Sequence, residues 1–272
     1  MIDLRAAVRR WTPPAVLDLV RERRAGIRFS GDYRDWESAR RASSGYDASA
    51  VMQRVRASAL RVANGEAAFE RDGVLFDEVQ YALPTLAGLL RVAVRRPAPL
   101  SVLDFGGGFG TSYRQLRAFC PDLPLRWSIV EQPDLVRVGA AEFATDELRF
   151  YPTLADCLRH EQPHIALFCS VLQYLPDPYA VLGEVERSGF GYVVIDRTSC
   201  SALPRDVLTV QQVPPEIYPA SYPCWILSSE RLRSRLRDSW QMVAEFGECS
   251  GPWRAGRFEF GLLGFILERR AC

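Results

Sequence analysis

The run Val102-Leu103-Asp104-Phe105-Gly106-Gly107-Gly108-Phe109-Gly110 constrains this chain more than any other segment. It reads as a short buried strand that ends in a carboxylate and passes through a glycine-rich turn into a helix beginning at Thr111. About one strand later Trp127-Ser128-Ile129-Val130-Glu131 repeats the pattern, an apolar run ending in an acid. Glycine lets backbone approach a bulky ligand, and a strand-end carboxylate can hold the two hydroxyls of a ribose. Together the two runs predict a nucleoside-containing cofactor lying across the carboxyl edge of a parallel sheet.

The glycines discriminate between cofactors. A dinucleotide fingerprint needs G-x-G-x-x-G, with the pyrophosphate on the helix N-terminus. Here the third glycine position is Thr111, and Asp104 stands directly before the turn, where it would repel a pyrophosphate. That carboxylate suits a cationic group such as the amino group of S-adenosylmethionine, with Glu131 on the ribose. A tight strand-to-helix turn without ligand, or a nicotinamide cofactor, remains an alternative at this level.

The length of 272 residues allows one large α/β domain plus an extension. A formal charge of +1 gives no general attraction for nucleic acid or membrane. All 34 basic residues are arginine, which excludes a Schiff-base lysine, a phosphate-loop lysine and a lysine base. The 7 cysteines form no C-x-x-C pair, and only His160 and His164 accompany them, so no metal centre is expected. Unpaired thiols, a polar arginine-rich amino terminus and the lack of any apolar run near the ~20 residues of a membrane span point to the cytoplasm.

Alternating patterns predict strands over 100–105, 126–131, 148–151, 164–170 and 191–196, with helices near 111–120, 133–143, 153–160 and 177–188. The expectation is an α/β fold with a doubly wound sheet, completed by a carboxy-terminal antiparallel hairpin from 242–246 and 258–267 after a helix at 230–238. Residues 1–97 are expected to be a helical extension folding over the cofactor edge as a lid, with helices at 15–24, 49–65 and 79–95. Residues 98–272 would then be the cofactor-binding domain. The proline-punctuated stretch 213–223 is expected to be a binding loop.

A further segment, Ser170-Val171-Leu172-Gln173-Tyr174-Leu175-Pro176-Asp177-Pro178, resembles the turn after the fourth strand of class I methyltransferases. With the Asp104 and Glu131 runs, the chain resembles that superfamily. Ser44-Gly45-Tyr46-Asp47, Glu70-Arg71-Asp72, Ile195-Asp196-Arg197-Thr198 and Tyr218-x-x-Ser221-Tyr222-Pro223-x-Trp225 are similar to a bacterial methyltransferase family associated with surface-polysaccharide and small-molecule biosynthesis. The resemblance implies a Rossmann-like sheet binding S-adenosylmethionine. It implies Asp104, Gly106, Gly107, Gly108 and Gly110 along the methionine and ribose, Glu131 on the ribose hydroxyls, Gln132 beside the adenine, and Ser170 and Gln173 near the methionine. Gln173-Tyr174 stands where many relatives carry histidine, so no histidine base is expected there.

Methyl transfer is an in-line displacement dominated by alignment, and an alcohol acceptor also needs a base. The candidates are Asp196 as base, Arg197 as a clamp for an anionic acceptor, and Tyr174 and Tyr222 at the reacting centre, although Asp196 and Arg197 also suit a structural ion pair. Tyr46, Tyr81, Tyr218 and Trp225 are candidates to stack on a sugar or aromatic acceptor, or to pack as ordinary core. His160 and His164 are expected at the surface. Cys169 and Cys200 are expected as buried thiols, and Arg231, Arg233, Arg235 and Arg237 as a solvated helix. The expected activity is O-methylation of a small-molecule or glycan acceptor. The alternatives are an NAD-dependent oxidoreductase and a non-catalytic S-adenosylmethionine-binding subunit. The expected partners are the acceptor and a second copy of the chain as a homodimer, with no nucleic acid and no membrane.

Overall fold

Side chains alternate between two faces of a central sheet, and each face carries its own layer of helices. On β4 (Leu100–Phe105), Val102 points to one layer and Leu103 to the other. The same alternation separates Ile129 from Val130 on β5 (Leu125–Val130), and Leu167 from Phe168 on β7 (Ile165–Cys169). This period of two is what a strand buried on both faces requires. The first layer contains α3 (Leu83–Ala93), α4 (Thr111–Phe119) and α5 (Pro133–Glu142). The second contains α6 (Leu154–His160), α7 (Pro178–Arg187) and α8 (Ser229–Arg237). The computed structural model describes residues 26–44, 48–96, 98–215, 220–247 and 252–270.

The parallel strands run in the order β6 (Leu148–Tyr151), β5, β4, β7, β8 (Tyr192–Ser201). β13 (Phe258–Arg269) lies antiparallel to β8, and β11 (Trp240–Gly247) lies antiparallel to β13. Among the described helices none is long and apolar enough to cross a membrane.

The sheet does not stop there. β8 runs on to Ser201, five residues past the end expected from sequence. β9 (Val207–Val213) and β10 (Ala220–Ser228) continue from it, with β10 parallel to β8 at Leu227 and Ser228 and antiparallel to β9. β1 (Arg28–Tyr33) pairs with β9 and with β12 (Trp253–Ala255), and β12 pairs with the start of β13. Six strands, β8-β10-β9-β1-β12-β13, thus close on themselves. The binding loop expected over 213–223 is therefore partly a strand. Pro223 fits because that part of β10 has only β9 beside it, and an edge tolerates a missing N–H.

The extension is likewise not wholly helical. Besides α1 (Trp36–Ala42), α2 (Ala48–Ala63) and α3, it contributes β1 and a hairpin of β2 (Phe69–Arg71) and β3 (Val74–Phe76). The helix expected from residue 79 begins only at Leu83, because Pro84 lacks an N–H and is accepted in a first turn rather than an interior. The helix expected over 15–24 lies outside the described residues.

Candidate functional site at the carboxyl edge

The chain leaves β4 toward β5 on one side and reaches β7 on the other, so the strand order reverses between β4 and β7. Helices on opposite faces open a crevice at such a point, beyond the carboxyl ends of the strands. The glycine turn lies there. Gly106 has φ 71° and an ideal Cβ would approach Val171 Cγ2 to 2.4 Å. A Cβ on Gly107 would stand 2.5 Å from Asp104 Oδ2. Gly108 has φ 56° but open space beside it, and Gly110 (φ 95°) leads into α4. The turn is closed beneath and open at Gly108.

Asp104 lies beneath the turn with no exposed surface. Its Oδ2 accepts the Trp127 indole N–H at 3.1 Å, and its Oδ1 is buried without a hydrogen-bond partner. Burial, with a contribution from Glu131, pushes its carboxyl up to about 7 despite the indole donor. Glu131 follows the last residue of β5. Its Oε1 accepts the Gly108 N–H at 3.2 Å and its Oε2 the Gln132 N–H at 2.8 Å. Burial raises its carboxyl above the ordinary range, and these two donors oppose the rise. A carboxylate offers about four acceptor positions, so Glu131 retains capacity for further donors. Gln132 is exposed at the start of α5.

Across the crevice two non-glycine residues adopt left-handed backbone, Ser170 (φ 55°) after β7 and Arg197 (φ 51°) within β8. Sequence reasoning ended β8 here. The strand instead bulges, since Leu263 faces Thr198 and Phe265 faces Ile195, leaving Gly264 alone opposite Asp196 and Arg197. Such a bulge re-aims side chains without ending the strand. Gln173, 2% exposed on a single helical turn (Leu172–Tyr174), donates its amide to Ser170 Oγ at 3.3 Å and to the Arg197 carbonyl at 3.1 Å. Asp196 Oδ2 accepts from Thr85 Oγ1 of α3 at 2.9 Å and from the Cys169 thiol at 3.8 Å. Arg197 donates to Cys169 Sγ at 3.2 Å. Asp196 and Arg197 therefore do not simply neutralise each other; Cys169 lies between them.

Tyr174 donates its hydroxyl to Gln211 Oε1 at 3.0 Å, and Gln211 Nε2 donates to the Tyr222 hydroxyl at 3.3 Å. The two rings meet edge to face at 5.4 Å. No local pattern marks Gln211, because the sequence does not predict strand β9. Trp225 is an odd number of residues from Tyr222 on β10 and turns to the other face, where it stacks on Trp36 at 6.5 Å. It does not join Tyr222. Tyr81 packs against Phe119 at the far end of α4, away from the glycine turn. Tyr46 and Tyr218 lie outside the described residues, but the motifs carrying them meet. Ser44 N–H donates to Ser221 Oγ at 2.7 Å and Ser221 N–H to Ser44 Oγ at 3.1 Å.

Other candidates fall elsewhere. His164 accepts the Ser101 N–H at the start of β4, and His160 ends α6, so both line a cleft of about 400 Å³ at the opposite edge of the sheet. A cavity of about 470 Å³ lies beside Cys200 and Phe260, also away from the glycine turn. Burial pushes the Cys169 thiol up to about 11 and Cys200 to about 12, which leaves neither a thiolate near neutrality. On α8, Arg231, Arg233 and Arg235 pair with Asp206, Glu245 and Glu186. Among the described residues no group of three His, Cys, Asp or Glu could hold a metal ion.

No family model matches the chain, and no curated protein matches it. Solved structures do. The N-terminal domain of EvdMO1, crystallised with S-adenosylhomocysteine and D-fucose, is 14% identical over 83% of this chain and 98% of that one, with TM-score 0.46. The 1,6-didemethyltoxoflavin-N1-methyltransferase of Burkholderia thailandensis is 16% identical over 84% and 92%, with TM-score 0.45. The glycopeptide N-methyltransferase MtfA, complexed with S-adenosylmethionine, is 14% identical over 68% and 94%, with TM-score 0.44. Likeness at this level leaves the chemistry to the chain's own residues.

Proposed function

We propose that the chain is an S-adenosylmethionine-dependent methyltransferase acting on oxygen of a small-molecule or glycan acceptor. One observation carries the reading: two acidic groups, Asp104 and Glu131, flank a glycine turn that is open at Gly108 and lies where the strand order reverses. The strand order β6-β5-β4-β7-β8 agrees with the doubly wound order 3-2-1-4-5. Glu131 has acceptor capacity left for ribose hydroxyls, and Asp104 Oδ1 is a buried acceptor without a donor, which suits a cofactor carrying an ammonium group. A pyrophosphate at the start of α4 would instead meet Asp104 and Glu70, so the nicotinamide alternative gains no support.

The bound cofactor would supply an electrophilic methyl group. The chain's part is alignment and proton handling. Gln173 holds the Ser170 hydroxyl and the Arg197 carbonyl that border the crevice. Asp196, oriented by Thr85, is the proposed proton acceptor for the attacking hydroxyl, and Arg197 the group that attracts an anionic acceptor. Tyr174, Gln211 and Tyr222 form the proposed acceptor wall.

Calorimetric titration with S-adenosylmethionine and S-adenosylhomocysteine, with NAD as control and Glu131→Ala beside the native chain, tests the reading. Binding of the sulfur cofactors alone, weakened by the substitution, is expected. Binding of NAD, or of nothing, overturns it.

A further inference from the structure

The hairpin β2–β3 carries Glu70, which the site above does not use. Glu70 is 2% exposed although it belongs to the amino-terminal extension. Its Oε1 accepts from the hydroxyl of Thr111, the first residue of α4, and lies 3.8 Å from an Arg114 guanidinium nitrogen, an ion-pair distance. Arg114 donates through its other terminal nitrogen to the Phe109 carbonyl at 2.8 Å, within the glycine turn itself. Its guanidinium also lies over the Phe143 ring at 5.9 Å. A buried acid from the extension is thus linked, through one arginine, to the backbone between Gly108 and Gly110.

We propose that Glu70 is a positioning residue for the cofactor turn, setting the backbone at Phe109 and the start of α4 from the β2–β3 hairpin. The proposal rests on the reading that this turn binds S-adenosylmethionine. A buried ion pair adds little net stability, yet removing one partner leaves the other charged and unpaired. Such a pair therefore serves geometry better than stability. Without Glu70, Arg114 is drawn toward solvent and releases the Phe109 carbonyl. Burial raises the Glu70 carboxyl above its ordinary range, and Arg114 and Thr111 oppose that rise. The turn and the extension consequently move as one body, and a cofactor bound to the turn restrains the hairpin.

The test uses the full chain with S-adenosylhomocysteine as the probe. Glu70→Gln preserves size and an acceptor oxygen for Thr111 but removes the charge that holds Arg114. Its expected effect is about a tenfold weaker Kd and a raised KM for the methyl donor, while kcat changes less than about threefold. Hydrogen exchange of residues 69–76 is expected to slow when S-adenosylhomocysteine binds the native chain, and not in the variant. Thr111→Val, with about a threefold loss of affinity, decides the matter if Glu70→Gln does not fold. Native affinity in the folded variant, or in Thr111→Val in its place, overturns the positioning role and leaves the cofactor reading intact. A native chain that binds no S-adenosylhomocysteine overturns both.

Discussion

Gln173 donates its side-chain amide to the carbonyl of Arg197 at 3.1 Å, joining the turn after β7 to the bulge of β8. The same nitrogen reaches Ser170 Oγ, so one buried amide serves the two left-handed residues of the crevice. Left-handed backbone at a non-glycine residue costs roughly 1–3 kcal/mol and persists only where neighbours enforce it. Substituting Gln173→Met keeps the volume and removes both donors. The expected cost is about 1–3 kcal/mol in chemical denaturation, with turnover falling further than stability alone explains. Unchanged turnover in a folded variant would remove Gln173 from the site.

Asp104 gives the fold a pH dependence of definite sign. Its carboxyl sits near 3.8 in the unfolded chain and is pushed up to about 7 by burial. Between those values the folded chain holds a proton that the unfolded chain has lost, so stability falls as pH rises through the window. The contribution is fully present below about pH 4 and lost above about pH 7, a change on the order of a few kcal/mol. Denaturation of the native chain and of Asp104→Asn across pH 4 to 8 checks this, after the slope common to both is subtracted. The asparagine variant should lack the decline. Parallel curves for the two chains would contradict it.

Gly107 and Gly108 are expected to respond differently to alanine. At Gly107 the new Cβ would stand 2.5 Å from Asp104 Oδ2, a contact that forces backbone or carboxylate to shift. At Gly108 nothing lies within 4 Å, and only the strain of φ 56° opposes the change, about 1 kcal/mol. Gly107→Ala should lower Tm more. Gly108→Ala should stay folded but bind S-adenosylhomocysteine at least about tenfold more weakly, because its methyl enters the space assigned to the ligand. Calorimetry on both variants separates the two effects, and native affinity in Gly108→Ala would argue that the ligand lies elsewhere.

Gln211→Leu interrupts the Tyr174–Gln211–Tyr222 chain at both bonds. If these residues wall the acceptor, donor binding should be unaffected while KM for the acceptor rises by about tenfold or more. A fall in donor affinity with acceptor KM unchanged would move the three residues to the cofactor side. The experiment requires an acceptor from a labelled-methyl screen.

The glycine turn, both strand-end acids and most of the parallel strands were legible because each depends on local pattern: a period of two, an acid, then glycine. β8 was cut short because Asp196-Arg197 reads as a polar strand end. It is a bulge opposite Gly264 of β13, a pairing between segments distant in sequence. The stretch 213–223 reads as a loop because of its prolines, which hides the start of β10; pairing with β9 overrides that signal at Pro223. Trp225 and Tyr81 are candidates from their place in the proline-punctuated stretch and the amino-terminal extension, which leaves stacking and ordinary packing both open because it does not specify the face a side chain takes. Glu70 lay in a motif whose residues were visible and whose partners were not, since Thr111 and Arg114 meet it only through tertiary packing.

The position of β1 between β9 and β12 bears on how such a chain must be made and trimmed. Residues 28–33 are synthesised well before both neighbours, β9 and β12, so this strand waits unpaired until they emerge. Deletion of the amino-terminal segment would strip both β9 and β12 of a neighbour and create two open hydrogen-bonding rims. A shortened protein of that kind should be judged first by its tendency to self-associate, because an unzipped ring and a lost site residue would look alike in an activity assay.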